Sequence, residues 1–278
     1  MFKIVLYYKY IKIDDPTSEM HRQRLLCQKL KILGRTIIAR EGINATLEGT
    51  TENIQQYIDE MEKDPRFTNI QWKISEGTGS AFPKLSIKVR PEIVSLNLLK
   101  DIDPNVVTGK YLTPEELHSW IHKTQKNGNK KEFYIIDMRN DYEIKSGYFE
   151  NSVFPKLTNF RDLKDSLPGI LSLKNKTIIT VCTGGVRCEK ASGYLITQGF
   201  SDVYQLKGGI VSYMEKYPNQ DFLGKLYVFD NRITMGFNTE SSSHTIVGSC
   251  ESCGTSSDNY VNCQDNFCHR HFIECNQC

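Results

Sequence analysis

Apolar positions in the first 95 residues follow two spacings, and their alternation predicts a small α+β domain. Runs rich in β-branched and aromatic residues indicate strands, whereas apolar residues at helical spacing indicate two helices between them. The first helix should follow Asp14-Asp15-Pro16-Thr17, carry Leu25 to Leu33 on its apolar side and stop at Gly34. The predicted strands are Ile4 to Tyr10, Thr36 to Ala39, Ala45 to Leu47, Ile70 to Ile74 and Leu85 to Val89, and the second helix is Thr51 to Lys63. The order β-α-β-β-α-β predicts a ferredoxin-like domain over residues 1–95.

Residues 96–218 show a different pattern, in which strands alternate with helices. Buried strands are predicted at Phe133 to Ile136, Thr177 to Val181 and Val203 to Leu206. This alternation is typical of a parallel sheet with helices on both faces. Chemistry in such sheets gathers at the carboxyl ends of the strands, where Asp137 and Cys182 fall.

The segment Cys182-Thr183-Gly184-Gly185-Val186-Arg187-Cys188 joins a predicted strand to a predicted helix. Backbone N–H groups and the helix dipole converge at such a junction, and Arg187 adds a full positive charge. This setting lowers the pKa of a thiol and makes Cys182 the candidate nucleophile. The alternative interpretation is a buried cysteine that ends a core strand. Cys188 is either a resolving thiol or a small helix residue.

Size, charge and cysteine use limit the class of protein. A chain of 278 residues predicts two or three domains, and its net charge of +2 is too small to indicate a polyanionic partner by itself. There is no run of eighteen apolar residues, and the first residues lack a signal-peptide layout, so we expect a cytoplasmic protein without a membrane partner. In that compartment nine cysteines favour catalysis or metal binding over disulfides.

The C-terminal segment, residues 219–278, carries most of these cysteines. Two Cys-x2-Cys pairs enclose a third group of possible ligands, a pattern that predicts structural Zn²⁺. The simplest assignment places the two pairs around one ion and the remaining ligands around a second, although crossed pairing, disulfides and free thiols are alternatives. The candidate ligands are Cys250, Cys253, Cys263, Cys268, His271, Cys275 and Cys278, with His269 as a further histidine.

Several separated motifs resemble one family. Asp137-Met138-Arg139-Asn140-Asp141-Tyr142-Glu143, the Cys182 loop and Gly208-Gly209 together resemble a rhodanese domain. The loop through Ser192, Arg40-Glu41-Gly42-Ile43-Asn44 and Ala81-Phe82-Pro83-Lys84-Leu85 resemble the bacterial tRNA uridine hydroxylases.

The resemblance implies a ferredoxin-like domain joined to a rhodanese domain. It also implies O2-dependent formation of 5-hydroxyuridine at the wobble position of tRNA, with the anticodon stem-loop as partner. Cys182 would be essential, Arg187 would complete its loop together with Gly184 and Gly185, and Cys188 belongs to the same motif. Asp137 and Arg139 would brace the loop, a structural role that we prefer to direct chemistry.

Basic residues of the first domain are candidate RNA contacts. Lys84, Lys88 and Arg90 occupy alternate positions and so share one face of a strand, and Arg40 lies in a family motif. Such a face is either simply solvated or a nucleic-acid footprint.

Two mechanisms and two rival functions remain open. The Cys182 thiolate either adds to C6 of uracil or carries a persulfide. The Cys-x4-Arg spacing argues against phosphatases of the rhodanese fold, which use Cys-x5-Arg. No flavin or nicotinamide fingerprint and no evident iron triad is present, so the electron donor is unassigned. A sulfurtransferase and a zinc-tailed RNA-binding adaptor are the rival functions.

Overall fold

The computed structural model describes residues 1–123, 131–265, 267–268 and 270–278. These residues divide into two compact units. The first unit contains Met1–Asn97 and Asp103–Val106, and the second contains Leu98–Ile102 and Val107–Cys278. Within the described residues, no helix has both the length and the apolar character needed to cross a bilayer.

The first unit is a five-stranded sheet with a main apolar core and a smaller second cluster formed by Ile4, Ala81 and Phe82. Its elements are β1 (Phe2–Tyr10), α1 (Pro16–Lys29), β2 (Leu33–Ala39), β3 (Gly42–Thr50), α2 (Thr51–Glu62), β4 (Lys73–Gly77) and β5 (Leu85–Val89). The strand order is β4-β1-β3-β2-β5, with antiparallel pairing except between β2 and β5. The predicted ferredoxin-like core is therefore confirmed, with β5 added at the edge beside β2.

The predicted end of the first helix is wrong. Helix α1 ends at Lys29, and Leu33 and Gly34 already belong to β2. Gly34 has a φ of +142°, and a Cβ there would lie 2.3 Å from the carbonyl oxygen of Thr46 on β3. The glycine thus permits a close approach of two strands, which local sequence cannot distinguish from a helix stop. Leu25, expected on the apolar side, is 69% exposed.

The second unit is built on a parallel sheet. Its order is β6-β10-β9-β7, and all three pairs are parallel, as predicted. Two-stranded pairs β8–β11, β12–β13 and β14–β15 accompany it. The strands are β6 (Lys110–Leu112), β7 (Tyr134–Asp137), β8 (Gly147–Phe149), β9 (Thr177–Val181), β10 (Asp202–Leu206), β11 (Phe222–Gly224), β12 (Leu226–Tyr227), β13 (Thr234–Met235), β14 (Tyr260–Asn262) and β15 (His271–Ile273).

Helices of the second unit follow from local capping. Helix α3 begins with a capping box, in which the Thr113 hydroxyl accepts from the Glu116 N–H and the Glu116 carboxylate accepts from the Thr113 N–H. Left-handed glycines begin the two helices that meet the Cys182 loop, Gly185 before α6 and Gly208 before α7. The helices are α3 (Pro114–His122), α4 (Asp141–Ile144), α5 (Leu163–Ser166), α6 (Val186–Thr197) and α7 (Gly209–Lys216). Short 3-10 helices cover Pro65–Phe67, Phe160–Asp162 and Leu167–Leu173.

Candidate active site

Cys182 lies at the junction that the sequence indicates, between the end of β9 and the start of α6. Gly185 precedes α6 with a φ of +100°, which turns its backbone N–H toward the thiol. This N–H donates to Cys182 Sγ at 3.3 Å. The loop therefore presents hydrogen-bond donors to the sulfur atom from its own backbone.

The surroundings of Cys182 favour its thiolate. Burial opposes ionisation, but a hydrogen bond from the Cys188 thiol, the charge of Arg187 and nearby backbone N–H groups outweigh it. Together they lower the pKa of the Cys182 thiol to about 6. Burial and the neighbouring Cys182 raise the pKa of Cys188 well above its ordinary value. At neutral pH the pair therefore consists of a Cys182 thiolate and a Cys188 thiol that donates to it.

Arg187 is held by the carboxylate of Glu143, a residue for which the sequence predicts no role. Its Nη1 and Nη2 donate to Glu143 Oε1 and Oε2 at 2.5 and 2.8 Å, and both side chains are buried. Glu143 also accepts from the Asn140 N–H at 2.9 Å and so caps α4. This bidentate pair fixes the guanidinium and offsets part of the positive charge that reaches Cys182. Glu143 is the last residue of the motif that begins at Asp137, so the sequence marks it as a candidate. Its spacing from Arg187, 44 positions, does not show that the two side chains pair.

Asp137 and Arg139 form a second buried ion pair at the end of β7. Arg139 Nη2 donates to Asp137 Oδ2 at 2.7 Å, and both side chains are fully buried. The same nitrogen donates to the Gly147 carbonyl at 2.7 Å, which ties β7 to β8. No described hydrogen bond joins this pair directly to Cys182, and its contacts are those of a brace.

Helix α7 packs directly on the Cys182 loop. The backbone N–H of Ile210 donates to the Cys182 carbonyl at 2.9 Å, and that of Val211 donates to the Thr183 carbonyl at 3.1 Å. A Cβ on Gly209 would lie 2.6 Å from Gly184, so only glycine allows this approach. Cys182 is 1% exposed, rather than open at the mouth of a loop. A nucleobase can reach the sulfur only after a rearrangement that uncovers it.

The basic residues of the first unit lie at its surface. Lys84 precedes β5, Lys88 lies within it and Arg90 follows it, and all three are exposed. Arg40, also exposed, lies between β2 and β3, where its Nη1 donates to the Asp14 carbonyl at 3.4 Å. The four side chains are accessible to a ligand.

Four tail cysteines form one compact group, comprising Cys250, Cys253, Cys275 and Cys278, with ligand atoms within 4.8 Å of one another. Cys253 Sγ and Cys275 Sγ lie 3.6 Å apart, close to the roughly 3.8 Å expected between thiolates on a tetrahedral zinc. This group could hold a metal ion.

The other candidate ligands of the tail lie elsewhere. Among the residues that the structure describes, Cys263, Cys268 and His271 are outside the group of four. His271 Nδ1 instead lies 2.6 Å from the Tyr227 hydroxyl. His269 lies outside the described residues.

Three family models match consecutive parts of the chain. The UPF0176 acylphosphatase like domain matches residues 2–93, the rhodanese-like domain matches residues 113–216 and the rhodanase C-terminal domain matches residues 223–278. Fold and site thus define a rhodanese-domain protein with an acylphosphatase-like domain before it and a cysteine-rich tail after it.

Relatives that match nearly the whole chain identify the family within this class. A tRNA uridine(34) hydroxylase from Cytophaga hutchinsonii is 43% identical over 277 residues, which cover 100% of this chain and 86% of the relative. Proteins of the same name from Aster yellows witches'-broom phytoplasma and Staphylococcus carnosus are 42% and 41% identical, covering 98% of this chain and 86% and 84% of their own. The chain belongs to the tRNA uridine(34) hydroxylase family, and the resemblance found in its motifs is confirmed.

Proposed function

We propose that this protein hydroxylates the wobble uridine of tRNA to 5-hydroxyuridine, with O2 as the oxidant and Cys182 as the reactive residue. The observation that carries the proposal is a thiol with a pKa of about 6, set in a loop of backbone donors. This thiol lies in a chain that matches relatives named for this activity along nearly its full length.

The Cys182 thiolate would act by covalent catalysis. Its addition to C6 of uracil forms a C6–S bond and moves an electron pair to an enolate, which makes C5 nucleophilic. Loss of the C5 proton and of the thiolate after oxidation restores the ring. One oxygen atom of O2 enters the product and the other leaves as water, so two further electrons come from a reductant. In the alternative mechanism, Cys182 carries a persulfide that performs the redox step.

Cys188 and Arg187 would support the thiolate rather than react themselves. The Cys188 thiol, kept protonated by burial, donates to the Cys182 sulfur. Arg187 contributes its charge from a position fixed by Glu143. Loop N–H groups would also stabilise negative charge that develops during the reaction.

Binding of the anticodon stem-loop would have to open the site. Cys182 is 1% exposed, and a stacked base must turn out of its strand to be modified. We infer that RNA binding uncovers the loop, and that the exposed Arg40, Lys84, Lys88 and Arg90 contact phosphates. We place the activity in the cytoplasm, where tRNA functions.

The tail would hold Zn²⁺ in a structural role. Four cysteines supply a complete tetrahedral thiolate shell, which leaves no position for a reacting water. We therefore infer that the ion, when bound, stabilises the C-terminal segment and takes no part in the hydroxylation.

Nucleoside mass spectrometry tests the proposed activity. Deletion of the gene should lower the amount of 5-hydroxyuridine at position 34 of tRNA, and the gene for the wild-type protein should restore it. Unchanged levels in the deleted cells would refute the proposal. Turnover of thiosulfate to thiocyanate by the purified protein, without any effect on tRNA nucleosides, would favour the sulfurtransferase.

A further inference from the structure

Two histidines and an aspartate come together in the second unit, at a distance from the cysteine chemistry. His118 and His122 are one turn apart on α3, and Asp221 lies between α7 and β11. One ligand atom from each of the three lies within 4.8 Å of the others. The sequence contains the His-x3-His signal, but the carboxylate is 103 positions from His118, so no iron triad was evident.

The ring nitrogens of both histidines face the Asp221 carboxylate, in contacts that a shared cation could replace. His118 Nδ1 lies 3.2 Å from Asp221 Oδ2, and His122 Nε2 lies 2.8 Å from Asp221 Oδ1. The carboxylate thus offers one oxygen to each histidine. Neighbouring ligands on a tetrahedral zinc with bonds of about 2.1 Å lie roughly 3.4 Å apart, so a bound ion would separate these side chains by only about half an ångström. Side-chain exposures of 26%, 51% and 12% for His118, His122 and Asp221 place the cluster at the surface, within reach of an ion from solvent.

Neighbouring aromatic residues fix two of the three ligands. The Tyr213 hydroxyl donates to Asp221 Oδ2. The ring of Tyr217 stacks on His118, with centroids 4.0 Å apart and planes 6° from parallel. Hydrogen bonds and packing that orient ligands in this way are typical of metal sites.

We propose that His118, His122 and Asp221 bind a divalent first-row transition cation such as Zn²⁺. Two imidazole nitrogens and one carboxylate match the preference of these metals, whereas Mg²⁺ and Ca²⁺ prefer oxygen alone. The bound cation joins the end of α3 to the segment after α7. Because α7 spans about 12 Å and its first turn contacts the Cys182 loop, this site lies at the opposite end of the helix from the thiolate.

Zinc stoichiometry of the full chain tests the site separately from the tail. Wild-type protein and variants are dialysed against Zn²⁺, passed through a gel-filtration column and measured for zinc per chain. His122→Asn and Asp221→Asn should each bind one zinc ion fewer than the wild type. The exposed His21, which lies in the first unit, provides the control, and His21→Asn should bind as many ions as the wild type.

The two test variants differ in their structural risk. His122 is half exposed, so its replacement leaves the buried part of α3 unchanged, and the Asp221 variant keeps an oxygen for Tyr213. Equal zinc content in the wild type and both variants would overturn the proposal and leave a hydrogen-bonded His–Asp cluster only.

Discussion

The ion pair between Glu143 and Arg187 allows the sharpest structural prediction. Replacement of Glu143 by glutamine keeps the side-chain size and an oxygen that can accept from the Asn140 N–H. It removes the negative charge beside a guanidinium whose side chain is only 8% exposed. The variant therefore removes the carboxylate bonded to this buried positive charge and leaves it only the charges of Cys182 and Asp137.

The expected cost follows from burial. Removing one partner of a buried ion pair costs about 3–5 kcal/mol. Glutamine keeps one accepting oxygen, but its amide nitrogen then faces a donating nitrogen of Arg187, so we expect Glu143→Gln to cost at least about 3 kcal/mol. For a unit of this size, that loss lowers the Tm by about 6–12 °C. The exposed pair between Glu115 and Lys216 gives a matched control, because Glu115→Gln should cost about 0–1 kcal/mol.

Two measurements check this prediction. Chemical unfolding of both variants gives the free energies directly. Ultraviolet absorbance of the thiolate, measured against Cys182→Ser, should also show a lower Cys182 pKa in Glu143→Gln, since Arg187 then acts on the sulfur without an offset. The reasoning fails if Glu143→Gln destabilises the protein no more than Glu115→Gln does.

Three further predictions concern the loop and the tail. The pKa of Cys182 is about 6 in the folded protein and about 8.5 in the unfolded chain. The thiolate therefore stabilises the fold fully above the unfolded pKa, and this stabilisation is lost as the pH falls through 6. Unfolding free energies measured against pH should show the loss in the wild type and much less of it in Cys182→Ser. Gly209→Ala should lower the free energy of unfolding by about 2 kcal/mol or more, because φ is +74° and the new Cβ would lie 2.7 Å from the Cys182 carbonyl oxygen. Gly169→Ala is the control and should be nearly neutral, because a Cβ there has no atom within 4 Å. Equal effects of the two variants in denaturant melts would refute the close packing of α7 on the loop. Cys253→Ser should lose zinc from the tail, whereas Cys268→Ser, outside the group of four, should retain it, and a reversed result would require a different ligand set.

Local sequence was sufficient for the architecture of both units. Strand β9 is a run of β-branched residues, and the start of α3 carries its own capping residues, so both can be predicted without distant contacts. Gly34 was misread because a glycine that permits close strand approach has the same local signature as one that ends a helix. The neighbours of Gly34 come from its pairing with β3, and the residues next to Gly34 in the sequence carry no information about that pairing.

The sequence indicates the candidate cysteine of the site, but not the residues that surround it. Cys182 is recognisable from the strand–glycine–helix pattern around it. The partner of Arg187 is 44 positions away, and the close approach of Gly209 to the loop backbone joins segments that are distant in sequence. These features arise from tertiary packing, and only the structure supplies them.

A single rate measurement decides whether the Cys182 sulfur is the reactive atom, as we propose. Purified wild-type protein and Cys182→Ser are compared for 5-hydroxyuridine formed at position 34 of unmodified tRNA under O2 with a reductant. We expect product from the wild type and none above background from the folded serine variant. Hydroxylation by Cys182→Ser at the wild-type rate would contradict both the C6-addition and the persulfide mechanism.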